Sequence, residues 1–294
     1  MIDLHIHSNH SDGSYSVKEI LELAEKNGVE VLSITDHDSI GAYFELENMD
    51  IKKYYSGDIL TGVELNCAHE GMKIELLGYG FDYVKMNEWF EKEFNEEKMI
   101  LRLKKEVEYL YNKCLENNIK IDENTVDSYN IGLGFSSEYI YREIIKYPEN
   151  KEFLNKYNIE KEKDLYRLIG STKEFPLYMD FGITMHTAKE ISDIIRKYGG
   201  KVFIAHVYGY KGINGDVLLQ SLIKNNIIDG IEVYYVYFSK ERINYLKDFC
   251  EKRNLLMSGG TDFHGKVSLE SGVTLGLGKG NLNISKDLVK NLNI

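Results

Sequence analysis

Two histidines stand two residues apart in the apolar run Asp3-Leu4-His5-Ile6-His7, and Asp12 follows shortly after them. Near the other end of the chain, Gly259-Gly260-Thr261-Asp262-Phe263-His264 repeats the two-residue spacing behind the apolar Leu255-Leu256-Met257. Residues i and i+2 of an extended segment share a face, so His5 with His7, and Asp262 with His264, aim paired donors in one direction. The glycine pair lets the backbone turn sharply as its strand ends. Imidazole and carboxylate together suit borderline divalent ions such as zinc, manganese and iron, and no cysteine stands at these segment ends to suggest a thiolate site. The pattern reads as a metal site assembled from both ends of the chain.

Three further apolar runs end in potential ligands. Val29 to Ile34 leads into Thr35-Asp36-His37-Asp38, Ile59-Leu60 into Gly62-Val63-Glu64, and Val202 to Ile204 into Ala205-His206. Helical patterns at Val17 to Lys26, Ala188 to Lys197, Val217 to Asn225 and Lys240 to Arg253 alternate with the strand-like runs, which makes a βα repeat. Closed βα barrels gather functional groups at the carboxyl ends of their strands, so a distorted (β/α) barrel is the expected α/β architecture. Between Asn87 and about Asn117, Ile100, Leu103, Val107, Leu110 and Cys114 fall at helical spacing and make one apolar face that must pack on something. From there to about Phe181 the chain is rich in Tyr, Lys and Glu and holds both prolines, Pro148 and Pro176. This stretch reads as a small, mostly helical cap beside the barrel mouth.

At the chemistry-bearing residues the chain resembles the PHP family, named for polymerase and histidinol phosphatase, whose members carry a metal-dependent phosphoesterase domain. The matching motifs are DLHIHSNHSDGSYS at the start, ITDHDSI at 34–40, GVELN at 62–66, FIAHV at 203–207, GIEVYY at 230–235 and SGGTDFHG near the end. The resemblance covers roughly residues 1–83 and 183–280. It implies a distorted (β/α)7 barrel formed by residues 1–83 and 183–294, with 84–182 inserted as a mostly helical cap. It also implies two or three divalent ions (Mn, Zn or Fe) held by His5, His7, Asp12, His37, Glu64, His206, Asp262 and His264, with Glu64 as the bridge. Where the family usually has another histidine, this chain has Glu75, a carboxylate that can also bind a hard or borderline ion. Val207 replaces a common proline and Phe238 a histidine, and an arginine and histidine of nucleotide-acting relatives are missing near Ser137 and Tyr139, although Arg142 is close by.

The resemblance implies metal-assisted hydrolysis of a phosphate ester, with Asp12, His37, Glu64 and His264 as the residues closest to the reaction. The expected substrate is a small phosphorylated metabolite, a nucleotide such as a nucleoside bisphosphate, or a short oligonucleotide end. The alternatives are a histidinol phosphatase and a metal-binding regulatory module whose catalysis has decayed. A nucleophilic serine ranks below these readings, because the serines near the site lack a His/acid pair.

The remaining features narrow the classes. With 294 residues and 43% hydrophobic content, the chain can build a large core. A net charge of −11 disfavours duplex nucleic acid and anionic membrane, although bound cations would reverse the sign locally. No apolar stretch reaches the roughly 18 to 20 residues needed to span a bilayer, and Met1 leads straight into the first strand, so the cytoplasm is the expected location. Cys67, Cys114 and Cys250 share no close spacing and read as packing residues. His10, His69 and His186 read as ordinary hydrogen-bonded or solvent-facing histidines. Asp36 and Asp38 either orient His37 or cap the following turn, and Tyr234-Tyr235-Val236-Tyr237 is either packing or a substrate platform.

Overall fold

The computed structural model describes residues 1–210, 212–290 and 292. Its strands are β1 (Ile2–Ile6), β2 (Val31–Ile34), β3 (Asp58–Ile59), β4 (Gly62–His69), β5 (Met72–Tyr79), β6 (Lys201–Ile204), β7 (Gly230–Tyr235) and β8 (Leu256–Gly260). The helices of the first half are α1 (Val17–Asn27), α2 (Gly41–Glu47), α3 (Tyr83–Glu93), α4 (Glu96–Glu116), α5 (Thr125–Ser128) and α6 (Ser136–Ile144). Those of the second half are α7 (Lys151–Lys156), α8 (Glu162–Ser171), α9 (Ala188–Lys197), α10 (Gly215–Lys224), α11 (Lys240–Glu251), α12 (Lys266–Glu270) and α13 (Asp287–Lys290).

Local chemistry explains several boundaries. Ser16 and Glu19 close a capping box at the start of α1, and Gly28 ends that helix in the left-handed region at φ 69°. Thr187 and Glu190 cap α9 in the same reciprocal way. The β4–β5 hairpin pairs His69 with Met72 across Glu70 and Gly71, both at positive φ, which is the two-residue turn whose twist matches flanking strands.

The fold is mixed α/β with parallel strands at both ends. β1, β2 and β3 form one parallel sheet, and β4 to β8 form a second in which β6, β7 and β8 run parallel and β5 lies antiparallel to β4 and β6. Instead of one continuous ladder, the sheets meet at single bridges, Ile6 to Phe263 and His37 to Glu64. The register shifts in β1 between Asp3 and Ile6, where that strand approaches the Ile6 bridge, and also in β7 between Glu232 and Tyr234. Gly260 is required at one such approach, since a Cβ there would meet the His5 backbone nitrogen at 2.4 Å.

Two apolar clusters hold the chain together. The larger fills the space under both sheets and includes Leu4, Ile34, Leu65, Leu76, Phe203 and Val233. The second joins Leu103, Val107, Leu110 and Cys114 of α4 to Ile140 and Ile144 of α6 and to Leu165 and Ile169 of α8. Four of the five apolar positions at helical spacing therefore face a core as the period predicts, whereas Ile100 is half-buried and lies in neither cluster. The segment from Asn87 to Asn117 is broken, however: α3 ends at Phe94, Asn95 caps α4, and Met86 and Phe90 of α3 join the larger cluster. Among the described residues no helix is long and apolar enough to cross a membrane.

Candidate metal centre

His5 and His7, alternate residues of β1, are fully buried and point to the same side. Their Nε2 atoms are 3.1 Å apart, and each meets a carboxylate oxygen of Glu64, at 3.2 and 3.3 Å, and of Asp262, at 3.3 and 3.2 Å. A second grouping uses His7 again with Asp12, His37 and His264, and a third uses Glu64 again with Glu75 and His206. In each grouping one donor atom per residue lies within 4.8 Å of all the others. All nine residues singled out from the sequence, His5, His7, Asp12, His37, Glu64, Glu75, His206, Asp262 and His264, therefore fall into three groupings linked through His7 and Glu64. Glu75 belongs to the third, its Oε2 3.5 Å from His206 Nε2.

The donors suit divalent ions in chemistry and in spacing, because ligand distances of about 2.0–2.2 Å place donors around one ion within roughly 4.4 Å of each other. The Nδ1 atoms of His7 and His37 are buried with no hydrogen-bond partner, as expected of nitrogens whose lone pairs are reserved for something other than protein. His264 Nδ1 lies 2.9 Å from the Asp262 carbonyl, which can only accept, so this nitrogen carries a proton and Nε2 is the atom turned toward the cluster, 3.3 Å from Asp12 Oδ1.

The electrostatics tell the same story. Burial alone would strip the proton from each ring, but Asp262 and Glu64 hold His7 protonated up to about 10, and Glu64 and Glu75 hold His206 up to about 9. His5 is likewise raised well above its ordinary value, with Glu232, Glu64 and Asp262 outweighing burial. Against the same burial, contact with His264, His37 and His7 pulls Asp12 down to about 2, and Glu64 and Asp262 are held well below the usual carboxylate range by their histidines. Protons thus occupy the nitrogens that an ion would claim.

Residues without an assigned role in the sequence turn out to set this geometry. Glu232, completely buried on β7, accepts from His5 Nδ1 at 2.7 Å and from the His206 backbone N–H at 2.7 Å, and so aims one histidine on β1 and another in the loop after β6. A lone glutamate inside the apolar Ile231-Glu232-Val233 was the signal for it. Asp3 accepts from Thr261 N at 2.9 Å, Thr261 Oγ1 at 2.6 Å and Gly276 N at 2.8 Å, tying β1 to the loop that carries Asp262. His206 and Asp262 both adopt positive φ, 24° and 52°, a strained backbone for residues other than glycine that these contacts hold in place.

Asp36 and Asp38 neither orient His37 through a hydrogen bond nor cap its turn. Asp36 accepts from Ser8 N, Ser8 Oγ and Ser11 Oγ at 2.6–2.7 Å, clamping the loop before Asp12. Asp38 accepts from Asn66 N and Nδ2 at 2.9 Å, tying the His37 loop to β4. Tyr235 donates to Asp262 Oδ2 at 3.1 Å and packs edge-on against Phe238, whereas Tyr237 is exposed. Of the other histidines, His10 pairs with Glu45, His69 with Ser221, and His186 lies against Trp89. Arg142 donates to the Leu133 carbonyl.

The cluster opens into two clefts beneath the α4 and α6 helices. One, of about 1100 Å³, is lined by Asp12, His37, Arg102 and His186 among others, and a second, of about 650 Å³, by Glu75, His206, Tyr166 and Arg167. Solved structures share this architecture. One, from Bifidobacterium adolescentis and given as a candidate metal-dependent phosphoesterase, superimposes with a TM-score of 0.61 at 21% identity over 99% of this chain and 94% of its own. Another, described as an amidohydrolase from Chromobacterium violaceum with bound sulfate and no metal, gives 0.61 at 18% identity over 99% and 96%. Among curated proteins, a 5'-3' exoribonuclease of Haemophilus influenzae is 40% identical over 80 residues, 27% of this chain and 28% of the relative. A 3',5'-nucleoside bisphosphate phosphatase of Chromobacterium violaceum is 31% identical over 81 residues, 28% of each chain. These alignments thus span less than a third of the curated relatives. The PHP domain profile, in contrast, matches residues 3–245 and so takes in seven of the nine clustered residues, and on that match the chain belongs to the PHP domain family.

Proposed function

We propose that the chain is a metal-dependent phosphoesterase acting on a small phosphorylated metabolite, a nucleotide or a short oligonucleotide end. The observation that carries this reading is the set of three donor groupings sharing His7 and Glu64. The names of the curated relatives, an exoribonuclease, a phosphoribosyl 1,2-cyclic phosphate 1,2-diphosphodiesterase and a bisphosphate phosphatase, support it. In this reading the two bridged sheets, eight strands where the resemblance implied seven, close into a distorted barrel of residues 1–83 and 183–294, and residues 84–182 form the cap over its mouth.

His5, His7, Glu64 and Asp262 would hold one ion, Asp12, His37 and His264 a second, and Glu64, Glu75 and His206 a third. Such ions, manganese, zinc or iron, supply a nucleophile from water near neutral pH and neutralise charge on phosphoryl oxygens. The chain's own residues provide the rest. Buried His5, His7 and Glu64 keep bulk water from the back of the cluster. Asp12, on the cleft side and lining both clefts, stands where the ester would enter. Glu232 and Asp3 fix the histidines and the Asp262 loop before substrate arrives, which keeps reorganisation out of the reaction.

The test is the metal content of protein purified without chelators, followed by hydrolysis of a panel of phosphate mono- and diesters with manganese, zinc or iron added. Two or three ions per chain and phosphate release that falls about 100- to 1000-fold in Asp12→Ala are expected. Bound ions without turnover on any ester would turn the reading toward a regulatory module, and protein that binds no ions overturns it.

A further inference from the structure

The three donor groupings differ in chemistry. In the first, His5 and His7 meet Glu64 and Asp262, and in the second His7, His37 and His264 meet Asp12, so imidazoles make up at least half of the donors in each. The third, Glu64, Glu75 and His206, sets one imidazole against two carboxylates. Imidazole suits zinc and iron, whereas carboxylate and water suit manganese and magnesium. The third grouping also offers three residues where the others offer four. An octahedral ion held there keeps its remaining positions for water and phosphate oxygens, the usual way in which magnesium is bound.

This character traces to Glu75. A histidine in its place would give two imidazoles and one carboxylate, a set suited to zinc or iron. Glu75 also brings the carboxylates of the nine clustered residues to four, with Asp12, Glu64 and Asp262. Four carboxylates balance two divalent ions, so a third ion enters a neutral set of ligands instead of a positive one, and less repulsion opposes it.

The grouping is braced from its own backbone. The Glu75 N–H donates to the Tyr210 hydroxyl at 3.0 Å, and that hydroxyl lies 3.1 Å from the Ala205 carbonyl, so one tyrosine ties β5 to the residue before His206. The Ala205 N–H donates in turn to the Glu75 carbonyl at 3.2 Å. Glu75 Oε2 is thereby kept 3.5 Å from His206 Nε2. Glu75 and His206 both line the second cleft, whereas His5, His7 and Glu64 are fully buried. Solvent therefore reaches the third grouping directly.

We infer that the third grouping is an exchangeable hard-ion position, filled by Mn2+ or Mg2+ from solution while the imidazole-rich groupings retain zinc or iron, and that Glu75 sets this division. The inference rests on the metal centre of the phosphoesterase reading and is independent of the ester. Zinc binds more tightly than manganese at any one site, so the division is one of ratio and shows once loosely held zinc has been removed.

The experiment loads wild type, Glu75→Gln and Glu75→His with zinc, dialyses away loosely held ions and counts the zinc that remains by elemental analysis. Mn2+ uptake is then followed by calorimetry and by the paramagnetic resonance of free Mn2+, with thermal melts to show that each variant is folded. Wild type should keep two zinc ions, one for each imidazole-rich grouping, and take up one Mn2+ per chain, which Mg2+ displaces. Glu75→His should keep a third zinc and lose Mn2+ affinity by at least about tenfold, and Glu75→Gln should show the same loss without gaining zinc, because its amide carries no charge. No Mn2+ uptake by wild type, equal uptake by all three proteins, or three zinc ions kept by wild type overturns the inference. Uptake is read without substrate, so failure to hydrolyse any ester would sink the phosphoesterase reading alone, and turnover with equal Mn2+ uptake in all three proteins would sink only the inference.

Discussion

The strand-end cluster and the helical segment above it are built on opposite principles. At the cluster, polar side chains are buried and held from several directions: His5 alone touches Glu232, His7, Glu64 and Asp262. In the helical segment the interior is apolar, Leu110, Ile140 and Leu165 being fully buried. The first arrangement favours fixed geometry at a cost in desolvation, and the second draws its stability from apolar burial.

Four experiments would break or sharpen that contrast. The largest effect is expected from Asp12→Ala, a loss of turnover of about 100- to 1000-fold in a protein that melts near the wild-type temperature, since Asp12 sits on the cleft side of the cluster. A collapse of the fold instead would mean that Asp12 supports structure. Leu110→Ala should destabilise the helical segment by about 2–5 kcal/mol in chemical denaturation, because this side chain is fully buried in the second core. Metal content should survive that change; loss of ions along with stability would erase the division between the two regions.

Glu232→Gln should weaken ion affinity or activity by about 10- to 100-fold, because the amide disturbs the contacts to His5 Nδ1 and the His206 N–H at once. Unchanged metal content and rate would relegate Glu232 to packing. The gentlest probe is pH. In ion-free protein the His206 and His7 values of about 9 and about 10 lie above the unfolded histidine value near 6.5. The stability these rings contribute is complete below about 6.5 and is lost as pH climbs through 9 and 10, so the ion-free melting temperature should fall over that range. Ion uptake runs the other way, strengthening with pH and releasing protons. A melting temperature that stays flat between pH 7 and 10 contradicts this account of the cluster.

Much was legible along the chain because it depends on neighbours in sequence. The two-residue spacings of His5 with His7 and of Asp262 with His264 follow from strand geometry alone, and the helical periods that predicted α1, α9, α10 and α11 needed only their own residues. The same period placed Leu103, Val107, Leu110 and Cys114 on one buried face. The interruption at Phe94 and Asn95 was not visible, because α3 is drawn away by Met86 and Phe90 packing into the larger core. Nor was the division into two bridged sheets, which depends on register shifts that appear only when strands meet.

The tertiary structure alone decided the partners. Asp36 reaches back to Ser8 and Ser11, Glu232 spans to His5, and Asp3 grips Thr261, contacts between residues 25 to 258 positions apart. Sequence determined which chemical groups stand at the ends of which strands, since that is a matter of local period. Which of them gather into one donor grouping and which hold the others in place was decided by how distant segments pack, because a hydrogen bond depends on distance in space and carries no trace of distance along the chain.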